Sequence, residues 1–143
     1  MIVIGIDPGL DTGYAVIVDG ELTRAGLGDP RNVSYICAST RVYIECPRIY
    51  PTGTPNPNSL ITLAVMVGEY KEYFRSAAKV TLIAPSDWKA QLPKEVTARR
   101  ARARFPDLDK WLVGVAPSKR HNILDAISIA AFGYDKETRR GPS

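Results

Sequence analysis

The stretch that decides the fold reads Ile4-Gly5-Ile6-Asp7-Pro8-Gly9-Leu10-Asp11-Thr12-Gly13-Tyr14-Ala15-Val16-Ile17. An apolar run ends on an acid, a Pro-Gly turn follows, and a second apolar run begins after Thr12-Gly13. This pattern is typical of two neighbouring β-strands joined by a tight turn. Burying Asp7 at the end of an apolar strand costs free energy unless a cation meets it, and a metal ion is the simplest such partner.

Three further side chains with the chemistry of metal ligands stand at the ends of predicted elements. Glu45 closes the apolar run 42–44, and His121 and Asp125 lie four positions apart, which places them on one face of a helix. Each acid has an ordinary alternative role: Asp7 as a turn cap, Glu45 as an edge-strand acid and Asp125 as a helix-surface acid. Taken as a set in this order, they favour a metal-dependent hydrolase site.

Length and composition predict one domain. The chain has 143 residues, so we expect a single unit over 1–143 with a flexible tail over 135–143. No run approaches the ~20 apolar residues that cross a bilayer, and the start lacks the pattern of a signal peptide. We therefore expect a cytoplasmic protein with no membrane partner.

Hydrophobic periodicity predicts the element order β-β-β-β-α-β-α-α. The predicted strands are Ile2–Ile6, Gly13–Val18, Leu22–Leu27, Arg41–Cys46 and Val80–Ala84, and the predicted helices are 59–78, 85–88, 94–105 and one from a cap at Ser118 to Tyr134. An antiparallel meander followed by a helical crossover gives an α/β protein with a mixed five-stranded sheet flanked by helices. The first strand should be central, because it is apolar without alternation.

Positive charge is concentrated locally. The net charge is only +4, but one segment carries a run of cations and another pair directly precedes His121. These cations are Lys89, Lys94, Arg99, Arg100, Arg102, Arg104, Lys119 and Arg120. Clustered cations suggest a partner with a phosphate backbone, and a solvated helix face is the alternative.

The motifs together resemble those of RuvC-type Holliday-junction resolvases. The first motif of that family is similar to Gly5-Ile6-Asp7-Pro8-Gly9 with Thr12-Gly13, and its second acid to Ile44-Glu45. Its Ala-Pro-Ser-to-Lys segment resembles Ala84-Pro85-Ser86 with Trp88-Lys89, and its final acidic helix resembles His121 with Leu124-Asp125-Ala126-Ile127. The matches run in the family's order from residue 4 to about residue 132.

The resemblance implies an RNase H-like fold and a homodimer that cuts two strands of a four-way DNA junction, leaving 5′-phosphates. It implies two Mg²⁺ or Mn²⁺ ions per site, with Asp7, Glu45 and Asp125 as catalytic metal ligands. His121 would be the fourth member, as a ligand or as a group that activates water. Asn122 is the alternative, because much of the family separates the last pair by three positions.

The resemblance also bears on DNA contacts, assembly and origin. In the loop after Glu45, Tyr50 is a candidate to stack on a splayed base, beside Arg48, and packing against the loop prolines is the alternative. We expect Arg100 and Arg104 to contact phosphates.

The helix 59–78 is apolar on more than one side, so it is a candidate dimer face or a plainly buried helix. Departures from the family in the loop 47–58 point to a phage-encoded or divergent member, which would act in the host cytoplasm.

Three other functions remain open from the sequence. The first is a YqgF-like nuclease of similar fold that acts on RNA or on other branched DNA. The second is an ATP-binding protein of the actin-like kinase type, which normally needs two such domains. The third is a DNA-binding module without catalysis, although acids placed against phosphates would then serve no purpose.

Overall fold

The structure, a computed structural model, describes residues 1–33, 36–48, 56–76 and 78–139. The predicted order of strands and helices is confirmed. The strands are β1 (Ile2–Asp7), β2 (Gly13–Val18), β3 (Glu21–Leu27), β4 (Thr40–Glu45) and β5 (Ala78–Ile83). The helices are α1 (Pro57–Arg75), α2 (Pro85–Trp88), α3 (Lys94–Arg104) and α4 (Arg120–Arg139).

The five strands form one mixed sheet in the order β3-β2-β1-β4-β5. Strand β1 runs antiparallel to β2 and parallel to β4, and β4 runs parallel to β5. The expectation that β1 is central is therefore confirmed. Because β1 and β4 run in the same direction, their carboxyl ends meet at one edge of the sheet, where Asp7 and Glu45 are the last strand residues.

Helices cover both faces of the sheet. On one face, α1 packs Val67, Tyr70 and Phe74 against fully buried residues of β1 and β4 such as Ile4 and Ile44. On the other face, α4 packs Ile123, Ala126, Ile127 and Ala130 against β2. Burial on both faces explains why β1 is apolar without alternation.

Helix α4 lies unusually close to β1 and β2. A Cβ atom added at Gly5 would collide with the backbone of Ala126 and Ala130, and one added at Gly13 would collide with the carbonyl of Asn122. Gly5 and Gly13 of the opening motif are therefore contact points for a helix backbone. The first turns of α4 are held against the edge of the sheet where Asp7 lies.

Replacing Gly5 with alanine should destabilise the protein by about 3 kcal/mol or more, because backbone atoms cannot move aside as a flexible side chain can. Gly68→Ala is the matched control: a Cβ added there meets no described atom within 4 Å, and Gly68 lies inside α1. Alanine at this helical position should stabilise by about 0.5–1 kcal/mol. Urea unfolding measures both; a Gly5→Ala protein as stable as the wild type would contradict the close packing of α4.

Two predicted features of the last helix are wrong. It continues to Arg139 instead of ending at Tyr134. Two acids of this extension are anchored: Glu137 accepts a hydrogen bond from the Tyr43 hydroxyl at 2.8 Å, and Asp135 pairs with Arg104. The helix begins at Arg120 after a 3₁₀ turn over Pro117–Lys119, so the predicted cap at Ser118 falls inside that turn.

Within the described residues, none of the helices combines the length and the apolar character that a membrane crossing requires.

Candidate active site

Strand register brings the first two acids together. In the parallel β1–β4 pair, Ile6 lies opposite Ile44, so the residues that follow them, Asp7 and Glu45, end adjacent strands side by side. Both side chains are half-buried. The expectation that the strand of Glu45 could neighbour the strand of Asp7 is confirmed, and both acids lie at one sheet edge.

The close approach of α4 delivers the third acid. Gly13 is the cross-strand partner of Asp7, and the carbonyl of Asn122 lies directly over Gly13. Asp125 follows Asn122 by three residues, about one helical turn, and is also half-buried. Three elements that are distant in the chain thus converge on one side of the sheet edge.

The three acids repel one another. Burial, together with the negative charges of Glu45 and Asp125, raises the pKa of Asp7 from 3.8 to about 8. Burial also raises the pKa of Glu45 and of Asp125, and Asp125 adds to the shift of Glu45. The cluster therefore holds more negative charge than its own surroundings stabilise.

Lysine side chains offset part of this charge. Lys89 lowers the pKa of Asp7, Glu45 and Asp125, and Lys94 lowers that of Asp7 and Asp125. We predicted both lysines from the sequence as DNA contacts. The structure places them beside the acids as well, since Lys89 follows α2 and Lys94 opens α3 at this edge of the sheet.

Sequence reasoning missed the role of Trp88. Its indole Nε1 donates a hydrogen bond to Glu45 Oε2 at 2.5 Å, and this bond lowers the pKa of Glu45 against the effect of burial. Trp88 ends α2, which follows β5, the strand next to β4. The only signal in the sequence is its position one residue before Lys89.

His121 lies in the first turn of α4 and is half-buried. Its charge lowers the pKa of Asp125, so the imidazole stands near that acid, as the spacing of four residues predicts. The backbone carbonyl of Asn122 packs against Gly13, and Asn122 is also half-buried. Both His121 and Asn122 therefore stay predictions for the fourth site residue.

The Pro-Gly turn beside Asp7 is held by a buried threonine. Thr12 Oγ1 donates to the Gly9 carbonyl at 2.8 Å and lies 3.3 Å from the hydroxyl of Tyr70 on α1. Backbone bonding from Gly28 to the Thr12 carbonyl at 2.9 Å ties the turn to the end of β3. The segment that carries Asp7 into the site is thus fixed from two sides.

The donor chemistry of the cluster fits a hard divalent cation. Within the described ranges, no three carboxylate, imidazole or thiolate groups stand close enough together to hold a metal ion as they are. Mg²⁺ does not need such a group, because it is usually bound through one or two carboxylates, waters and substrate phosphates. Three half-buried acids with raised pKa values would supply oxygen ligands, and a bound cation would offset their negative charge.

The other predicted cations divide into two groups. Four are engaged within the protein: Lys119 pairs with Asp11 at 3.1 Å, Arg102 with Asp109 at 3.0 Å and Arg104 with Asp135 at 2.8 Å, and Arg120 donates to the Val115 carbonyl. Three others are exposed and make no ion pair with a described residue, namely Arg48, Arg99 and Arg100. Tyr50 lies outside the described residues.

The strand order and register are those of an RNase H-like fold, and comparison with solved structures confirms this class. RuvC of Thermus thermophilus, solved with a Holliday junction substrate, has a TM-score of 0.65 at 19% identity, covering 99% of this chain and 97% of its own. Another structure of Thermus thermophilus RuvC has a TM-score of 0.57 at 19% identity, covering 96% and 98%. The fowlpox virus resolvase, solved with Holliday junction DNA, scores 0.58 at 16% identity, covering 96% and 99%. No protein-family model and no curated protein matches the sequence.

Proposed function

We propose that this chain is a structure-selective DNA endonuclease that resolves four-way junctions by metal-dependent hydrolysis of phosphodiester bonds, leaving 5′-phosphate ends. The observation that carries the proposal is the convergence of Asp7, Glu45 and Asp125 at one sheet edge, with Lys89 beside all three. The similar folds of RuvC and the fowlpox resolvase, both solved with junction DNA, support the choice of substrate.

Asp7, Glu45 and Asp125 would hold Mg²⁺ or Mn²⁺, and His121 or Asn122 would complete the set. Two such ions, when bound, activate a water and stabilise the leaving oxygen of the displacement. Asp7 has the central place, because its pKa is raised by both other acids. Positive charge near it favours the ionised carboxylate that a ligand must be.

The chain's own residues prepare the site for a phosphate. The turn after Asp7 is open on one side, since among the described atoms a Cβ added at Gly9 would meet only the Asp11 amide, at 4.0 Å. A backbone phosphate therefore has room to approach the acids from this side. Lys89 reduces the repulsion that three acids would otherwise exert on it.

A substrate panel tests the proposal. The protein is incubated with Mg²⁺ and labelled four-way DNA junctions, beside linear duplex, flap and RNA–DNA hybrid. We expect cleavage of the junction and little of the other substrates. Cleavage confined to RNA-containing substrates would instead indicate a YqgF-like activity, and tight junction binding without cleavage under Mg²⁺ or Mn²⁺ would indicate a binding module.

We propose that the exposed cations of α3 contact DNA phosphates. The logarithm of the junction-binding constant falls linearly with the logarithm of the salt concentration. Arg100→Gln should reduce the magnitude of this slope by about 1, because one phosphate contact is lost. Arg104→Gln is the matched control on the same helix: its guanidinium is paired with Asp135, so the slope should stay and stability should fall by about 1 kcal/mol or less. Equal slopes for Arg100→Gln and the wild type would assign this helix no role in binding.

We propose that α1 forms a homodimer contact, which would supply the two active sites that paired cuts require. Ile61 and Val65 on this helix are 62% and 56% exposed, whereas its buried side chains face the sheet. Val65→Asp should therefore give a monomer in sedimentation velocity and separate the two cuts in time. Lys71→Glu, an exposed change on the same helix, should remain dimeric. A wild type that is monomeric with and without DNA would refute this contact.

A further inference from the structure

Trp88 stands between the acids and the helices that flank them. Its indole N–H bonds Glu45, and its ring packs against the buried group of Val3, Tyr43, Ile83 and Ile129. The ring also lines a cavity of about 280 Å³ between α3 and α4. One side chain therefore touches a candidate metal ligand and the core of the domain at once.

The same ring also contacts Lys89, the cation that lowers the pKa of all three acids. Lys89 Nζ lies 5.1 Å from the centroid of the Trp88 ring, within the range of a cation–π contact. Glu45 accepts no other hydrogen bond from a described residue, so within this part of the chain the indole is the group that orients its carboxylate. A carboxylate has about four acceptor positions, and this bond occupies one of them.

We propose that Trp88 is a positioning residue that orients the Glu45 carboxylate for metal binding and holds Lys89 beside it. The inference rests on the proposed metal-dependent function but concerns a step before substrate binding. Groups that hydrogen-bond a metal ligand typically change metal affinity or activity about 10–100-fold when they are removed. The structural alternative is that Trp88 only fills space at the sheet edge.

The chain contains a matched control, because the indole N–H of its second tryptophan has no hydrogen-bond partner among the described residues. Trp111 Nε1 is buried and makes no hydrogen bond to any described residue. Trp111→Phe therefore removes an unsatisfied donor and should leave stability unchanged or slightly higher. In that background Trp88 is the only tryptophan. Tryptophan fluorescence then reports on Trp88 alone, and a tryptophan analogue is incorporated at that position alone.

The experiment measures Mn²⁺ and Mg²⁺ binding to the DNA-free protein, by Trp88 emission and by the rise of Tm with metal. In the Trp111→Phe protein we expect a saturating response. Replacing Trp88 with β-(3-benzothienyl)alanine, which keeps the ring size and removes the N–H, should raise the half-saturating metal concentration about 10-fold or more in the Tm titration. Trp88→Phe, made in the wild type, removes the same N–H. Its half-saturating metal concentration should exceed that of Trp111→Phe by a similar factor.

The outcomes separate this inference from the proposed function. Equal metal midpoints, within about twofold, for the protein with and without the Trp88 N–H would overturn the positioning role. A wild type that binds neither metal would overturn it as well. If the midpoint shifts as expected but no junction is cut, the positioning of Glu45 stands and the choice of substrate fails.

Discussion

Asp7→Asn should lower the rate of junction cleavage by roughly 10²–10³-fold or more, the loss typical of removing one group that stabilises transition-state charge. Asparagine keeps the size of the side chain and removes the charge that would hold the cation. Junction affinity should stay or increase, because one negative charge is removed from the DNA-facing edge. Single-turnover cleavage with excess enzyme, beside a binding titration in Ca²⁺, measures the two effects separately.

Asp11→Asn is the matched control for this variant. It is the same substitution four residues further along, in the same turn, and its partner is Lys119 instead of the acid cluster. The pair is partly exposed, so its loss should change stability by no more than about 1 kcal/mol. If both variants cleave at the wild-type rate, or both lose activity equally, Asp7 does not have the central place that we assign to it.

The second large effect is on stability in the absence of metal. The folded pKa of Asp7 is about 8 and its ordinary value is 3.8, so the unfolded chain releases this proton at lower pH than the folded one. The stability that the protonated side chain contributes is complete below pH 3.8 and is lost as the pH rises towards 8. Metal-free wild type should therefore become less stable between pH 5 and pH 8, with the raised pKa values of Glu45 and Asp125 acting in the same direction.

Asp7→Asn should remove most of this slope and be more stable than the wild type at pH 8, by roughly 2–4 kcal/mol. Urea unfolding in EDTA at several pH values measures the difference, with Asp11→Asn expected to follow the wild type. Adding Mn²⁺ at pH 8 should stabilise the wild type and leave Asp7→Asn nearly unchanged. Parallel pH profiles for wild type and Asp7→Asn would show that Asp7 is ionised at little cost in the folded protein.

The fold was predictable because local patterns and burial agree along most of the chain. The unbroken apolar character of β1 indicated its central position, and helical periodicity located α1 and α4. The end of α4 was missed, because its stability beyond Tyr134 comes from contacts of Asp135 and Glu137 with distant residues. Polar composition at a chain end predicts fraying only when no such partners exist.

The positions of the three acids of the candidate site could be predicted from the sequence, and their surroundings could not. Asp7 and Glu45 mark strand ends, and the pairing of parallel strands brings such ends together. The bond between Trp88 and Glu45 joins residues 43 positions apart, and the Arg104–Asp135 pair joins residues 31 apart. Such pairs depend on how helices dock on the sheet, which hydrophobic periodicity alone does not determine. For this reason an engaged arginine, Arg104, and an exposed one, Arg100, looked alike in the sequence.

Strand-by-strand mapping of the cuts decides whether the acid cluster cleaves junction DNA. Each strand of a four-way junction is labelled in turn, incubated with wild type or Asp7→Asn in Mg²⁺, and the cut positions and end groups are mapped. We expect symmetric nicks in two opposed strands, each leaving a 5′-phosphate, and none with Asp7→Asn. Nicks that persist in Asp7→Asn, or that occur equally in linear duplex, would contradict it.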